Sequence, residues 1–205
     1  VIQLANTGKF LGYFTSNKSK LTPQQMFLKL IYTKEQEKKS ELLNTLPSTF
    51  SNVFVDTNGA AYSTCMGIGN DLLKKHSTNG TNMLGNVKTS SALTDVTANK
   101  DGIIYASDSH GMIWVYTSQG EVIFQLGAEA ADKDISGLFT SLTTIAVDNS
   151  GNIWTADGEK GYLQSFTPTE YATTIFKALK EYENGDYKEA LTDWNYVLRL
   201  NQMSV

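Results

Sequence analysis

A turn motif that occurs three times constrains the fold more than any other feature of this sequence. Its glycines, Gly59, Gly102 and Gly151, lie 43 and 49 residues apart. An Asp or Asn stands three positions before each glycine, and a large aromatic residue stands three positions after it. The earlier residues are Asp56, Asn99 and Asp148, and the later ones are Tyr62, Tyr105 and Trp154. Gly with Asn or Asp accepts the left-handed backbone angles of tight turns, so the motif predicts pairs of strands joined by a turn.

The residues around the second turn predict a complete four-stranded unit. Leu93–Ala98, Ile103–Ser107, Met112–Thr117 and Glu121–Leu126 are rich in β-branched and aromatic residues, and Gly, Asp and Ser fill the gaps. A second set of turns recurs in phase with the first, at Gly8, Gly80 and Gly120. A recurring antiparallel unit of about forty residues is one blade of a β-propeller, so we predict a mainly β chain built from propeller blades.

The predicted strands group as two, four, four and three, over residues 1–14, 51–86, 93–127 and 141–166. Asn82–Leu84 is the fourth strand of the second group, and Ala128–Leu138 is expected to be a loose turn or a short helix. Closed propellers usually have at least four four-stranded blades. We therefore expect a partial propeller that N-terminal blades normally close. Unpaired strand edges favour association, so two copies pairing edge to edge is the alternative expectation.

A helical insert interrupts the blades at residues 22–46. Thr22-Pro23-Gln24-Gln25 and Thr33-Lys34-Glu35-Gln36 are both typical of helix starts, so two short helices are predicted. The apolar side chains with helical spacing are expected to pack on the propeller rim; they are Met26, Phe27, Leu30 and Ile31, followed by Leu42, Leu43 and Leu46. The segment is either an ordinary insert between blades or a cover over one mouth of the propeller that docks a partner.

The sequence pattern changes from strand to helix period after Phe166, which gives predicted domains 1–167 and 168–205. Thr167-Pro168-Thr169-Glu170 is typical of a helix start, and Asn184-Gly185-Asp186 is expected to end one helix and cap the next. Small Ala178 and Ala190 would let the two helices approach. Tyr182, Tyr187 and Trp194 are the predicted aromatic residues of their seam.

Composition excludes several classes of function. The chain has a net charge of −4, 19% charged residues and no basic cluster, which argues against nucleic-acid binding. No apolar run is long enough for a membrane span. Cys65 is the single cysteine of the chain, so no intrachain disulfide can form, and its place within a strand favours a buried thiol.

A search for catalytic chemistry identifies no catalytic residue and no metal-ligand spacing. His76 and His110 lie in different blades, without the convergent ligands that zinc needs. Asp108 and Asp157 follow the second strand of their blades at matching positions, so they either hold Ca²⁺ in a central channel or cap turns. With His110 and Trp114 they are the candidate binding residues of the propeller. No cofactor is expected, and Ca²⁺ is the alternative.

The blades resemble NHL repeats. Phe54-Val55-Asp56-Thr57-Asn58-Gly59 and Ile145–Trp154 carry the blade pattern, Phe166–Tyr171 resembles the junction, and Gly185-Asp186-Tyr187 with Ala190 and Trp194 resembles a tetratricopeptide repeat. The whole order resembles the C-terminal half of bacterial proteins whose NHL propeller runs into tetratricopeptide repeats. Cys65 departs from the pattern, since neighbouring repeats carry Asp108 and Asp157 there.

The resemblance implies an extracellular or membrane-tethered protein of the bacterial cell surface that binds a protein or peptide partner and has no known reaction. A binding and scaffolding module is therefore expected. The alternative is an enzyme, since six-bladed relatives include calcium-dependent lactonases and lyases that work from the central channel. Asp108, His110 and Asp157 are the residues that such a channel site would use.

Overall fold

The computed structural model describes residues 2–14, 23–33, 36, 49–67, 71–130, 132 and 134–201. The chain forms two compact units, Val1–Phe50 and Ser51–Val205. Each is described by itself below.

The first unit contains a β-hairpin and one described helix. Strands β1 (Ile2–Leu4) and β2 (Phe10–Tyr13) pair antiparallel. Helix α1 (Pro23–Ile31) begins at the predicted proline. Its predicted apolar face is present and largely exposed, and its packing on the propeller rim stays a prediction; the exposed fractions are 59% for Met26, 64% for Phe27, 85% for Leu30 and 59% for Ile31.

Most of the second predicted helix lies outside the described residues, including Leu42, Leu43 and Leu46. Its predicted start is partly described. The backbone N–H and the hydroxyl of Thr33 both donate to Oε1 of Gln36, at 3.0 and 3.1 Å. This contact is one half of a capping box, the arrangement that the Thr33–Gln36 spacing predicts.

The second unit contains three antiparallel sheets, which are blades of a partial β-propeller and confirm the predicted fold class. The strands follow chain order within each sheet. They are β3 (Phe50–Val55), β4 (Ala61–Cys65) and β5 (Leu73–His76); β6 (Leu93–Ala98), β7 (Ile104–Asp108), β8 (Ile113–Tyr116) and β9 (Val122–Leu126); and, after a short connection, β12 (Leu142–Val147), β13 (Ile153–Asp157) and β14 (Tyr162–Phe166).

Two strand predictions are wrong. The predicted strand Asn82–Leu84 is reduced to a single bridge between His76 and Asn82, with one further backbone hydrogen bond from the Met83 N–H to the Lys75 carbonyl. The segment predicted as a loose turn or helix contains a short parallel pair, β10 (Ala128–Glu129) and β11 (Leu138–Phe139). Its small residues let the backbones approach, and a Cβ on Gly127 would lie 2.4 Å from the carbonyl oxygen of Gly111.

A buried carboxylate joins two neighbouring blades. Asp95 on β6 and Thr144 on β12 stand at the same position of the repeat, seven residues before its glycine, and both strands shift register just before them. Asp95 is 6% exposed. Its Oδ2 accepts hydrogen bonds from the Thr144 hydroxyl and from the backbone N–H of Ile145, the latter at 2.9 Å. The innermost strands of the two blades are therefore bonded side chain to backbone.

The C-terminal residues form the predicted helical hairpin, α2 (Glu170–Asn184) and α3 (Tyr187–Leu200). The hydroxyl of Thr169 accepts from the N–H of Ala172 at the start of α2, and Gly185 ends it with a φ of 89°. Ala178 and Ala190 are fully buried where the helices meet. Asp186 stands at the N-cap of α3, but its side chain makes no capping hydrogen bond, so the predicted cap is wrong.

Helix α2 packs on the blades, and the hairpin and propeller share one core. The Phe176 ring lies 6.5 Å from Tyr105 and 5.9 Å from Phe124. Around this contact the buried residues of two blades form one cluster: Ile103, Tyr105, Ile113, Val115, Phe139, Leu142, Ile145 and Ile153. No described helix combines the length and the apolar character needed to cross a membrane.

Candidate binding groove

The repeated turns are rigid and nearly identical. Oδ1 of the leading Asp or Asn accepts hydrogen bonds from the N–H groups two and four residues later. The distances are 2.9 and 2.9 Å for Asp56, 3.0 and 3.0 Å for Asn99, and 2.8 and 2.9 Å for Asp148. The glycines have φ angles of 81°, 84° and 83°, which are the left-handed backbone angles that the turn motif predicts. Each turn therefore presents its two central residues in the same way.

An aromatic side chain closes two of these turns. The Tyr62 hydroxyl donates to Oδ2 of Asp56 at 3.2 Å, and the Trp154 indole donates to Oδ2 of Asp148 at 3.1 Å. Burial, with the neighbouring Asp56 charge, raises the pKa of Tyr62 above its usual value. Burial, with the Asp101 charge, raises the pKa of Tyr105 to about 12. Both phenols are therefore neutral hydrogen-bond donors at physiological pH.

The three turns converge with α2 on a groove of about 620 Å³. Phe54, Tyr105 and Phe176 form its aromatic floor, and Val147 extends it. The turns supply the polar residues of one wall, and α2 supplies the other. The wall residues include Asp56, Thr57, Asn99, Lys100, Asp101, Asp148, Asn149 and Ser150 from the turns, with Pro168, Thr173, Lys177 and Lys180 from the helix side. The groove thus combines an apolar floor with a charged edge.

The two lysines that α2 contributes are held in ion pairs. Lys180 Nζ lies 2.6 Å from Oδ1 of Asp101. Lys177 Nζ lies 2.7 Å from Asp193 and 3.4 Å from Glu181, and these two carboxylates raise its pKa. Hydrogen bonds from the Asn152 and Trp154 side chains hold the pKa of Asp148 down at about 2, so this carboxylate stays ionised. Neither Asp56 nor Asp148 forms an ion pair with a described residue. They are the acidic rim of the groove.

Three sequence-predicted residues, Asp108, His110 and Trp114, lie together outside the groove. Asp108 ends β7, His110 lies in the turn that follows it, and Trp114 lies on β8. The groove turn Asn99–Gly102 instead precedes β7. Oδ1 of Asp108 accepts from the N–H groups of His110 and Met112 at 3.0 and 3.1 Å, and Oδ2 accepts from the Trp114 indole at 3.2 Å. The His110 side chain is exposed. In this structure the Asp108 carboxylate caps its turn.

Asp157 lies at the matching position of the next blade and is also buried. Oδ1 accepts from the N–H groups of Glu159 and Lys160, and Oδ2 accepts from that of Thr140 at 2.7 Å. Burial alone would raise its pKa, but these backbone bonds outweigh it and the pKa is lowered. Within the described part of the chain, no three His, Cys, Asp or Glu side chains group as metal ligands. The calcium hypothesis for Asp108 and Asp157 stays a prediction.

The aromatic residues predicted for the helical seam lie mostly at its edge. Tyr182 and Tyr187 contact each other edge to face across the hairpin, with ring centroids 5.3 Å apart, and are 60% and 64% exposed. Trp194 is half-buried. The centre of the seam is filled by small and aliphatic residues instead, namely Ala178, Ala190 and Val197.

The sequence does not predict the groove. It predicts the turns, and the spacing of Thr173, Phe176 and Lys180 indicates one face of α2. That spacing does not indicate which residues pack against that face. Only the packing of α2 across the turns brings these residues together with Asp56 and Asp148.

No family model matches the sequence, and no curated protein matches it. Solved structures that match include streptogramin B lyase, at 15% identity, covering 63% of this chain and 44% of that chain with a TM-score of 0.43. The WD40 propeller domain of Doa1 matches at 11% identity over 62% and 40% of the two chains, with a TM-score of 0.45. A computationally designed protein, Ika4, matches at 13% identity over 62% and 70%, with a TM-score of 0.45.

Proposed function

We propose that this chain is a non-enzymatic binding module whose groove holds a short peptide segment of a partner protein. The groove itself supports the proposal: its volume of about 620 Å³ falls within the usual range for ligand pockets. An aromatic floor with a charged edge is also the common anatomy of protein recognition sites.

The residues that hold each turn together differ from the central residues that line the groove. The hydrogen bonds of each turn are made by the leading Asp or Asn and by backbone groups, while the central residues Thr57, Lys100 and Asn149 line the groove. These central side chains can change without loss of the turn geometry. A rigid scaffold with variable loop residues is the usual arrangement of a binding face.

The finer family assignment is part of this proposal. The blade turns and the helical hairpin support the resemblance to an NHL propeller joined to a tetratricopeptide repeat, and the resemblance implies a bacterial cell-surface location. Biotinylation of intact cells with a membrane-impermeant reagent tests that location. Labelling only after lysis would contradict it.

Blocking the groove tests the proposed function. Thr173 lies on its helical wall and is exposed, so Thr173→Trp would place a large ring in the groove with little loss of packing. Thr192→Trp is the matched control, because both hydroxyls donate to the carbonyl four residues earlier and Thr192 lies on α3 outside the groove. Peptides selected from a random display library on the wild-type protein are expected to bind Thr192→Trp and to lose binding to Thr173→Trp. Equal binding to both variants would overturn the proposal.

We also propose that two copies can pair through a free blade edge. Strand β14 pairs with β13 on one side and with no other described strand, and Leu163 on it is 70% exposed. Exposed apolar edge strands promote such pairing, and a lysine on the edge opposes it. Light scattering at increasing concentration is expected to show a dimer for the wild type and a monomer for Leu163→Lys. A monomer mass for the wild type at all concentrations would contradict edge pairing.

A further inference from the structure

We infer that the segment held in the groove carries a lysine or arginine, with its aliphatic stem over the aromatic floor and its cation at the acidic rim. This inference rests on the proposed function and specifies the chemistry of its ligand. Three independent features of the groove favour it: the pairing of its charges, its aromatic floor, and the start of α2, which has few free N–H groups.

The groove is lined by three aspartates and three lysines, and these charges are unevenly paired. Asp56 and Asp148 line it without ion-pair partners in the described structure, whereas Lys177 and Lys180 are already neutralised by carboxylates. Lys177 is shared between two acids, which leaves one negative charge in excess at that end. Exposed Lys100 is the remaining cation of the lining. A bound cation would thus meet more unpaired negative than positive charge.

The floor suits the stem of a basic side chain. Lysine and arginine bury their methylene groups against apolar surface while the charge stays at the edge. Half-buried Phe54 and Phe176 provide such a surface, and buried Tyr105 packs against Phe176. Aromatic faces also attract cations within about 6 Å of the ring centre. The same chain already uses this contact, since Lys75 Nζ lies 5.6 Å from the centre of the Tyr62 ring.

An anionic ligand is disfavoured even though the start of α2 borders the groove. A helix start attracts anions through its free N–H groups. Here Pro168 has no N–H, the Thr169 hydroxyl accepts the N–H of Ala172, and Glu170 places a negative charge in the first turn. The helix start therefore offers little to a carboxylate or phosphate.

Three fluorescein-labelled peptides of equal length provide the probes. In each, leucine alternates with a second residue type, which is lysine or arginine in the basic peptide, glutamate in the acidic one and glutamine in the neutral one. Fluorescence anisotropy measures their affinity. We expect the basic peptide to bind wild type about tenfold more tightly than the neutral peptide and the acidic peptide to bind weakest.

Two asparagine substitutions remove the rim charge while keeping the turns. Asn99 shows within this chain that Asn caps the same turn, with hydrogen bonds of 3.0 Å. In Asp56→Asn the Tyr62 hydroxyl can turn to accept from the new amide. In Asp148→Asn the Asn152 amide, which now donates to Oδ2, can rotate to present its oxygen, and water can reach the Trp154 indole, which is 44% exposed. The double variant is expected to bind the basic peptide about tenfold more weakly. Glu121→Gln with Glu189→Gln, both exposed and outside the groove, matches the change in net charge and is expected to leave the affinity within about twofold.

Salt provides a test that needs no variant. Raising NaCl from about 0.05 to about 0.5 M should weaken binding of the basic peptide several-fold, because the Debye length shortens from about 14 to about 4 Å. Salt-independent binding, absence of binding, or equal affinity for basic and neutral peptides would overturn the inference. So would unchanged affinity in the folded double asparagine variant.

Different results would overturn the proposed binding groove and the inference that its ligand is basic. If Thr173→Trp loses a selected peptide while the double asparagine variant still binds it, the groove is the binding site and its ligand is not basic. If Thr173→Trp binds the basic peptide as well as wild type does, the groove is not the site and both proposals fall.

Discussion

The indole Nε1 of Trp154 donates a 3.1 Å hydrogen bond to Oδ2 of Asp148, six residues earlier in the chain. Trp114 makes the same bond to Asp108 at 3.2 Å, and Tyr62 uses its hydroxyl in the same way on Asp56. Each of these three carboxylates therefore caps the backbone of its turn with one oxygen and fixes an aromatic ring with the other. The spacing of acid, glycine and aromatic residue in the sequence reflects this bonding.

The Asp108 turn gives the first prediction. Asp108 is 3% exposed and accepts three hydrogen bonds, so Asp108→Ala would leave buried donors without an acceptor and lower the free energy of unfolding by about 2 to 4 kcal/mol. Asp108→Asn keeps the Oδ1 bonds and should lose about half as much. Urea denaturation measures both. A loss below about 0.5 kcal/mol for the alanine variant would show that the turn does not depend on this cap.

Docking of α2 on the blades gives the second prediction. Phe176 is half-buried against Tyr105 and Phe124, so Phe176→Ala should lower the free energy of unfolding by about 2 kcal/mol and loosen α2. Leu191→Ala is the control, because Leu191 lies on α3 and is 62% exposed. Hydrogen exchange of α2 should accelerate only in the Phe176 variant. Unchanged exchange there would mean that other contacts hold the helix.

His76 gives a prediction about pH. It is 2% exposed beside Ser63, with Nε2 3.2 Å from the Ser63 oxygen, and burial lowers its pKa, aided by the charge of Lys74 and opposed by a backbone bond at Gly80. The unfolded chain takes up the proton near pH 6.5, before the folded protein does. Stability should therefore fall as the pH drops through 6.5 and level off below the pKa of the folded state.

Urea denaturation between about pH 8 and pH 5 measures this effect. His76→Gln should flatten the part of the profile near pH 6.5. A profile with the same slope in wild type and His76→Gln would show that other groups set the pH dependence.

The metal hypothesis gives the last prediction. Asp108 and Asp157 already bind backbone N–H groups, and they lie in different blades. We expect Ca²⁺, Zn²⁺ and EDTA to leave the unfolding temperature unchanged, because a metal that binds only the folded state would raise it. A rise with Ca²⁺ that disappears in Asp157→Asn would instead favour the alternative of a calcium-dependent lactonase or lyase.

The local structure could be predicted because it depends on neighbours in sequence. The Asp56 and Asp148 turns, the left-handed glycines and the end of α2 at Gly185 each follow from residues within six positions. The parallel pair at Ala128 could not be predicted, since it depends on Gly111 in a different turn. The groove could not be predicted for the same reason. Phe176 contacts Tyr105, some seventy residues earlier in the chain, and no periodicity of the sequence indicates that contact.

The bond from Asp95 to Thr144 and Ile145 has a consequence for how the propeller comes apart. Separating β12–β14 from β6–β9 would leave Oδ2 of Asp95 without its two donors, the Thr144 hydroxyl and the Ile145 N–H. Both the carboxylate and the N–H would then lie unpaired at the mostly apolar boundary between the blades. Partial unfolding at this boundary is thus more costly than fraying at a strand end. Under a pulling force or a protease, β6–β9 and β12–β14 should yield together in one step, although the sequence reads as separate repeats.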